Sequence, residues 1–225
     1  MKNIITIDGL SGVGKGTLGI ALAEKLQWHY LNSGSLYRII AYLSKKNNIG
    51  ASNVTALVSL ANNLEIWFEI DNGYLKIFHN NNDIYELIQN EDCAKRASKI
   101  ALIEELRLVL IKIQRSFYKN PGLIAEGRDM GSVIFKEAKL KFFLKASAHV
   151  RAKRRHKQLK EKGINVSLTQ LIHKLDQRDK RDLNRSVSPL VIPEGAVIIN
   201  TNELDINEVI DTASKSIDKI LKIKI

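Results

Sequence analysis

Ile4-Ile5-Thr6-Ile7-Asp8-Gly9-Leu10-Ser11-Gly12-Val13-Gly14-Lys15-Gly16-Thr17 runs from an apolar stretch into a glycine-rich loop, and the amphipathic residues 18–26 follow at once. A strand, a loop of the form Gly-x-x-x-x-Gly-Lys and a helix make the phosphate-cradling P-loop in its proper context. Glycine lets backbone N–H groups turn inward with no Cβ in the way. Those groups and the helix N-terminus then form a site for a polyphosphate. Lys15 supplies the point charge for the β- and γ-phosphates, and Gly9, Leu10, Ser11, Gly12, Val13, Gly14, Gly16 and Thr17 line the nucleotide. Gly16 stands where GTPases and motor ATPases place a magnesium-binding hydroxyl, and Thr17 follows one position later.

The chain has 225 residues, enough for one α/β domain with insertions and too few for two enzymatic domains. No apolar run approaches a membrane span, no signal peptide is expected because the chain enters its first strand and glycine-rich loop at once, and a single cysteine, Cys93, fits a reducing compartment. A cytoplasmic protein is expected. The formal charge of +11 invites a nucleic-acid partner. Of the 35 basic residues only eleven are Arg, however, and the lysines are scattered through the chain. In such a background an Arg marks a place where a planar, bidentate fork serves a phosphate or a base edge.

Outward from the loop, His29-Tyr30-Leu31 reads as a second strand, and residues 32–35 cap a helix running from Leu36 toward Lys46. Residues 65–70 and 74–78 flank Asp71-Asn72-Gly73, a hairpin signal, with Ile84-Tyr85 opening a third strand. Helical periodicity spans about 92–118, and Leu123-Ile124-Ala125 is a buried strand ending in Glu126-Gly127-Arg128-Asp129. Residues 140–144 form another strand. Helices follow at 147–163 and 167–185, then a last strand at 196–199 and a closing helix at 206–221. Strands alternating with helices imply a parallel sheet with its site at the strand C-termini.

Leu168, Leu171 and Leu175 form an inward stripe that continues, by the same steps of three and four, to Arg178, Asp182 and Arg185. That face leaves a core and enters a polar cleft, or it is the solvated end of a helix. Arg128 and Asp129 at a strand end either meet a ligand or pair with each other. The basic helix 151–157 has three readings: a nucleic-acid face, a solvated face, or a lid that lays arginines over phosphates. No aromatic interleaves with its charges, which disfavours stacking on single strands. The five His and the one Cys do not cluster, so no protein-held metal is expected.

With the P-loop, Asn-Ser-Gly-Ser-Leu-Tyr-Arg at 32–38, Gly-Arg-Asp-Met-Gly-Ser-Val-Ile-Phe at 127–135 and Arg-Asp-Lys-Arg-Asp-Leu-Asn-Arg at 178–185, the chain resembles bacterial cytidylate kinases from first strand to last helix. The resemblance implies a three-layer α/β P-loop NTPase fold with a parallel sheet. It also implies a small antiparallel NMP-binding insertion at about 41–121 and a helical lid at about 151–185, on a core of 1–40, 122–150 and 186–225. The implied activity is phosphorylation of CMP, and of dCMP, by ATP carried with Mg²⁺, in pyrimidine nucleotide metabolism. It implies a monomer with neither nucleic-acid nor membrane partners. Ser33, Tyr37, Arg38, Arg128 and Arg185 would surround the CMP phosphate, and Arg178 and Asp182 the ribose. Ser98, Arg107 and Asp129 would read cytosine, while Arg151, Arg154 and Arg155 would belong to the lid. Lys15, Arg128 and Arg185 are the catalytic candidates. Asn32 stands where the family usually has Asp, and Gln89 where an Arg is common. The rival acceptors are UMP, AMP and shikimate, and the rival class is an RNA-binding P-loop ATPase.

Overall fold

The computed structural model describes residues 2–161 and 163–223. Its centre is a five-stranded parallel sheet of β1 (Ile4–Gly9), β2 (His29–Asn32), β6 (Leu123–Gly127), β7 (Leu140–Lys145) and β8 (Val197–Asn200), in the order β2-β6-β1-β7-β8. β1 is buried at every position because it lies in the middle with both faces covered. Ile7 faces α1 (Lys15–Leu26), which packs with the closing helix α9 (Ile206–Leu221). Thr6 and Asp8 alternate to the other face, toward a single π-helical turn over Met130–Ile134. Gly9 ends β1 at φ 148°, and a Cβ there would sit 2.4 Å from the Leu144 carbonyl oxygen. Only glycine lets the chain leave the sheet at that point.

Between β2 and β6 run α2 (Ser33–Lys46), α3 (Val54–Asn62), the antiparallel strands β3 (Ile66–Asp71), β4 (Tyr74–His79) and β5 (Asn82–Asp83), then α4 (Tyr85–Ile88), α5 (Glu91–Ile100) and α6 (Glu104–Ser116). The β3–β4 turn has Asn72 and Gly73 both at positive φ, the type I′ geometry that suits right-twisted strands. Its tip docks on the core, where Gly73 N–H donates to Glu24 Oε1 at 2.7 Å.

Three expectations need correction. The third strand is Asn82–Asp83, and Tyr85 begins a helix because Asp83 Oδ1 accepts from the Tyr85 amide at 2.9 Å. The single helix expected over 92–118 breaks at residues 101–103, because α5 packs on α2 whereas α6 packs on α3. α3 falls in a stretch assigned no element, although Asn53 caps it by accepting from the Ala56 amide at 3.1 Å.

After β7 come α7 (Ala148–Glu161) and α8 (Leu168–Asn184), which pack on each other around a small cluster of their own, Ala152, Leu159 and Leu171. Leu168 and Leu175 lie against that cluster, so the inward leucine stripe is real. Among the described residues no helix is long and apolar enough to cross a membrane.

Candidate active site

The P-loop, the C-terminal ends of the sheet and α7–α8 enclose a cleft of about 940 Å³. Gly12 and Gly14 take φ of 83° and 100°, turning the loop's backbone around its mouth. Lys15 opens α1 and its Nζ donates to the Leu10 carbonyl at 2.8 Å, across the loop. Burial, and then the positive charge of Arg128, lower its pKa to about 7, against the opposing pull of Glu126. Arg38, Arg128, Arg154, Arg155 and Arg178 also line the cleft. A polyphosphate placed among these cations would raise the Lys15 pKa again. The loop geometry and the excess of cations therefore fit ATP. Among the described residues no three His, Cys, Asp or Glu side chains gather as metal ligands.

The arginines of α7 occupy different places. Arg151 is buried beneath the P-loop, where its Nε donates to the Ala146 carbonyl and Nη1 to the Ser11 carbonyl, both at 3.1 Å. The same guanidinium makes a bidentate pair with Asp179 of α8. Arg154 donates to Thr201 Oγ1 at 3.1 Å and to the Thr201 carbonyl at 2.5 Å, and Thr201 Oγ1 lies 3.2 Å from the Val13 carbonyl. Arg155 reaches across the cleft to Glu91 of α5 at 3.8 Å.

Opposite the loop, Asp129 and Arg107 form a buried pair at the end of β6. Arg107 also donates to the Tyr37 hydroxyl at 3.1 Å. Arg185, the residue after α8, places Nη2 3.7 Å from Asp129 Oδ2 while its Nε donates to the Ser188 carbonyl. Two buried donors here, Arg107 Nε and Arg185 Nη2, have no hydrogen-bond acceptor. Arg128 donates from Nε to Asp182 Oδ2 at 2.8 Å, so a strand end and the polar end of the α8 stripe meet. Burial pushes the Asp182 carboxyl up, but Arg128 and Arg178 outweigh it and hold the group below its ordinary value. Burial lowers the Arg178 pKa to about 10, with Arg128 adding to the effect. Arg38 is anchored on the Ile88 carbonyl at 2.7 Å, and Ser33 is buried at the start of α2. Ser98 is half-buried on α5 and makes no hydrogen bond to Arg107 or Asp129.

Three further carboxylates, to which the sequence motifs assign no role, hold parts of the site. Glu126 is buried beside the P-loop and accepts from the Tyr30 hydroxyl at 2.7 Å and from Asn32 Nδ2 at 2.5 Å. Asp179 holds Arg151. Asp8 accepts the Met130 and Gly131 amides at 2.9 and 2.8 Å. Thr6 and Asp8, polar residues inside an apolar strand, were the available signal for the last of these.

A family model for cytidylate kinase matches residues 5–219. The chain belongs to the cytidylate kinase family. It is 44% identical to the cytidylate kinase of Aeromonas salmonicida (strain A449) over 212 residues, 94% of this chain and 92% of that protein. Cytidylate kinase 1 of Haemophilus influenzae (strain ATCC 51907 / DSM 11121 / KW20 / Rd) is 46% identical over 210 residues, 93% of this chain and 91% of that protein. The cytidylate kinase of Sodalis glossinidius (strain morsitans) is 44% identical over 218 residues, 97% and 96% of the two chains. Asn32 is the position where the family resemblance leads one to expect an Asp. Its Oδ1 accepts the Ser35 N–H at 2.9 Å and so caps α2, as an Asp would, but its Nδ2 donates to Glu126, which an ionised Asp could not do.

Proposed function

We propose that this chain transfers the γ-phosphoryl group of ATP to CMP, giving CDP and ADP, and that it accepts dCMP as well. The P-loop would hold ATP through residues 9–17, with Lys15 at the β- and γ-phosphates. Mg²⁺ carried by ATP would supply charge neutralisation at those phosphates. The acceptor phosphate would lie among Ser33, Tyr37, Arg38, Arg128 and Arg185, and the ribose beside Arg178 and Asp182. Phosphoryl transfer depends on alignment and charge stabilisation, so the reading requires no general base from the protein. Arg128 would stabilise the transferring group where it faces Lys15.

One observation carries the choice of acceptor: a buried carboxylate flanked by two guanidinium groups that each keep a donor without a partner. Cytosine presents a 4-amino donor beside the N3 and O2 acceptors. Asp129 would accept from that amino group, and Arg107 would donate to the acceptors. Uracil would turn an oxygen toward Asp129 and be repelled. Ser98 belongs to the same base-reading group by family resemblance.

Residues 41–121 would act as the acceptor-side insertion and 151–185 as the lid, with Arg154 and Arg155 over the phosphates and Arg151 anchoring the lid helix to the loop. Closure would exclude water and so prevent simple ATP hydrolysis. Action as a monomer in the cytoplasm is part of the same reading. A coupled assay of ADP release with CMP, dCMP, UMP, AMP and shikimate tests the proposal. Turnover greatest with CMP and dCMP supports it, and RNA-dependent ATP turnover that ignores CMP refutes it.

A further inference from the structure

Asp8 is a fully buried carboxylate that the proposed chemistry does not use. It lies in register with Gly127 of β6 and Phe143 of β7, so neither flanking strand opposes it with a charge. No ion pair reaches it among the described residues. Its two oxygens instead accept the backbone N–H groups of Met130 and Gly131, one each. These are the first amides of the π-helical turn and would otherwise be unsatisfied donors in a dry interior. The rest of the turn is closed by the Asp129 carbonyl, which accepts from Val133 at 2.9 Å and Ile134 at 3.1 Å. The approach is tight. A Cβ on Gly131 would lie 2.8 Å from Thr6 Oγ1, the other polar side chain on this face of β1.

From this geometry we infer that Asp8 is a positioning residue for acceptor recognition: its carboxylate fixes the turn that holds Arg128 and Asp129 against the acceptor nucleotide. The inference rests on the CMP reading above. Its physical basis is that β1 carries Asp8 just ahead of the P-loop while the turn carries the acceptor contacts, so one carboxylate ties the two halves of the site together. An amide in its place would offer one acceptor and turn an N–H₂ toward the second backbone donor. The turn would then shift, and Arg128 and Asp129 with it.

The group also titrates in an accessible range. Burial raises the Asp8 pKa to about 6, and the Met130 and Gly131 amides pull the other way. The charged groups that face it are Asp129 on the turn, which raises the value, and Lys15 on α1, which lowers it. From β7, Lys141 lies along Gly131 by its aliphatic stem. β6 turns Glu126 to the opposite face with its register partner Ile7. Because the folded value is raised, this group's contribution to stability is full below the unfolded pKa of 3.8 and is lost as pH rises toward 6. Acidification through this window therefore removes one of the turn's two acceptors, as the amide of D8N would, without unfolding the chain through Asp8.

The test combines D8N kinetics with amide NMR of the full chain. We expect D8N to raise KM for CMP about tenfold and leave KM for ATP within about twofold. The phosphate of CMP ionises near the same pH, so the comparison is the ratio of wild-type to D8N kcat/KM for CMP at each pH. That ratio should fall toward one below about pH 6. In the wild type the Met130 and Gly131 amide shifts should titrate with a midpoint near 6 and do so in no other part of β1 or the turn with comparable size. An unchanged KM for CMP, an equal rise in KM for ATP, or a flat ratio overturns the inference. If D8N does not fold, the wild-type amide titration decides alone, and its absence overturns the inference. A wild type that phosphorylates UMP in place of CMP would refute the acceptor reading, while the amide titration would still report on Asp8.

Discussion

Arg151 and Asp179 lock the basic helix to the P-loop: the guanidinium meets both carboxylate oxygens of Asp179 and donates a further bond to the Ser11 carbonyl. The two side chains are 2% and 11% exposed, so the pair is dry. Removing one member strands the other as an unpaired buried charge, which costs more than the pair's net worth. Arg151→Ala should lower unfolding stability by about 3–5 kcal/mol in urea denaturation. It should also weaken ATP binding, because the loop carbonyl loses its donor. A stable variant with normal ATP affinity would contradict an anchoring role for the Arg151–Asp179 pair.

Asp129→Asn should relax base selectivity. The substituted amide can offer N–H to the O4 of uracil, where the carboxylate repels it. A single base-edge contact is worth about 1–3 kcal/mol, so the ratio of kcat/KM for CMP over UMP should fall roughly 5- to 150-fold. KM for ATP should not change. The steady-state comparison of the two acceptors checks both points.

Arg185→Ala should raise KM for CMP roughly 10- to 100-fold, the loss expected for a charge-assisted phosphate contact. Asp129 keeps Arg107, so the fold should survive, and the melting temperature should move only slightly. Thermal denaturation together with acceptor kinetics separates the two effects. A folded variant with intact turnover would return Arg185 to a packing role.

Lys15 has a folded pKa near 7, below its ordinary 10.5, because it is buried among cations. Above pH 7 the free protein therefore holds this side chain largely neutral. ATP favours the charged form, so binding at pH 8 should take up part of a proton. Titration calorimetry in buffers of different ionisation enthalpy measures that uptake, and Lys15→Met should abolish it. The affinity of the wild type should fall as pH rises from 7 to 9.

What could be read from the chain and what could not divide along contact range. The P-loop is local, since strand, glycines, lysine and helix lie within residues 4–26. The stripe from Leu168 to Arg185 was equally legible, because a helix repeats its inward face by threes and fours. In the structure Arg178 lines the cleft beside Arg128, Asp182 accepts from Arg128, and Arg185 approaches Asp129. The Asp8–Met130 and Arg151–Asp179 contacts span 122 and 28 positions, and neither residue type nor spacing announces the partner. The break at residues 101–103 was hidden for another reason. It contains no Gly or Pro, and is imposed by α5 and α6 packing on different helices. The β5 error was a matter of two residues, since Asp83 closes the strand and starts the next helix through the same carboxylate oxygen.

The central claim is transfer of a phosphoryl group between two nucleotides held at one cleft. Incubation of the purified chain with ATP labelled at the γ-phosphate, Mg²⁺ and CMP tests it most directly, with products separated by chromatography. The account predicts label in CDP, in step with ADP formed, and little in inorganic phosphate. Label released as inorganic phosphate at the same rate with or without CMP would contradict it.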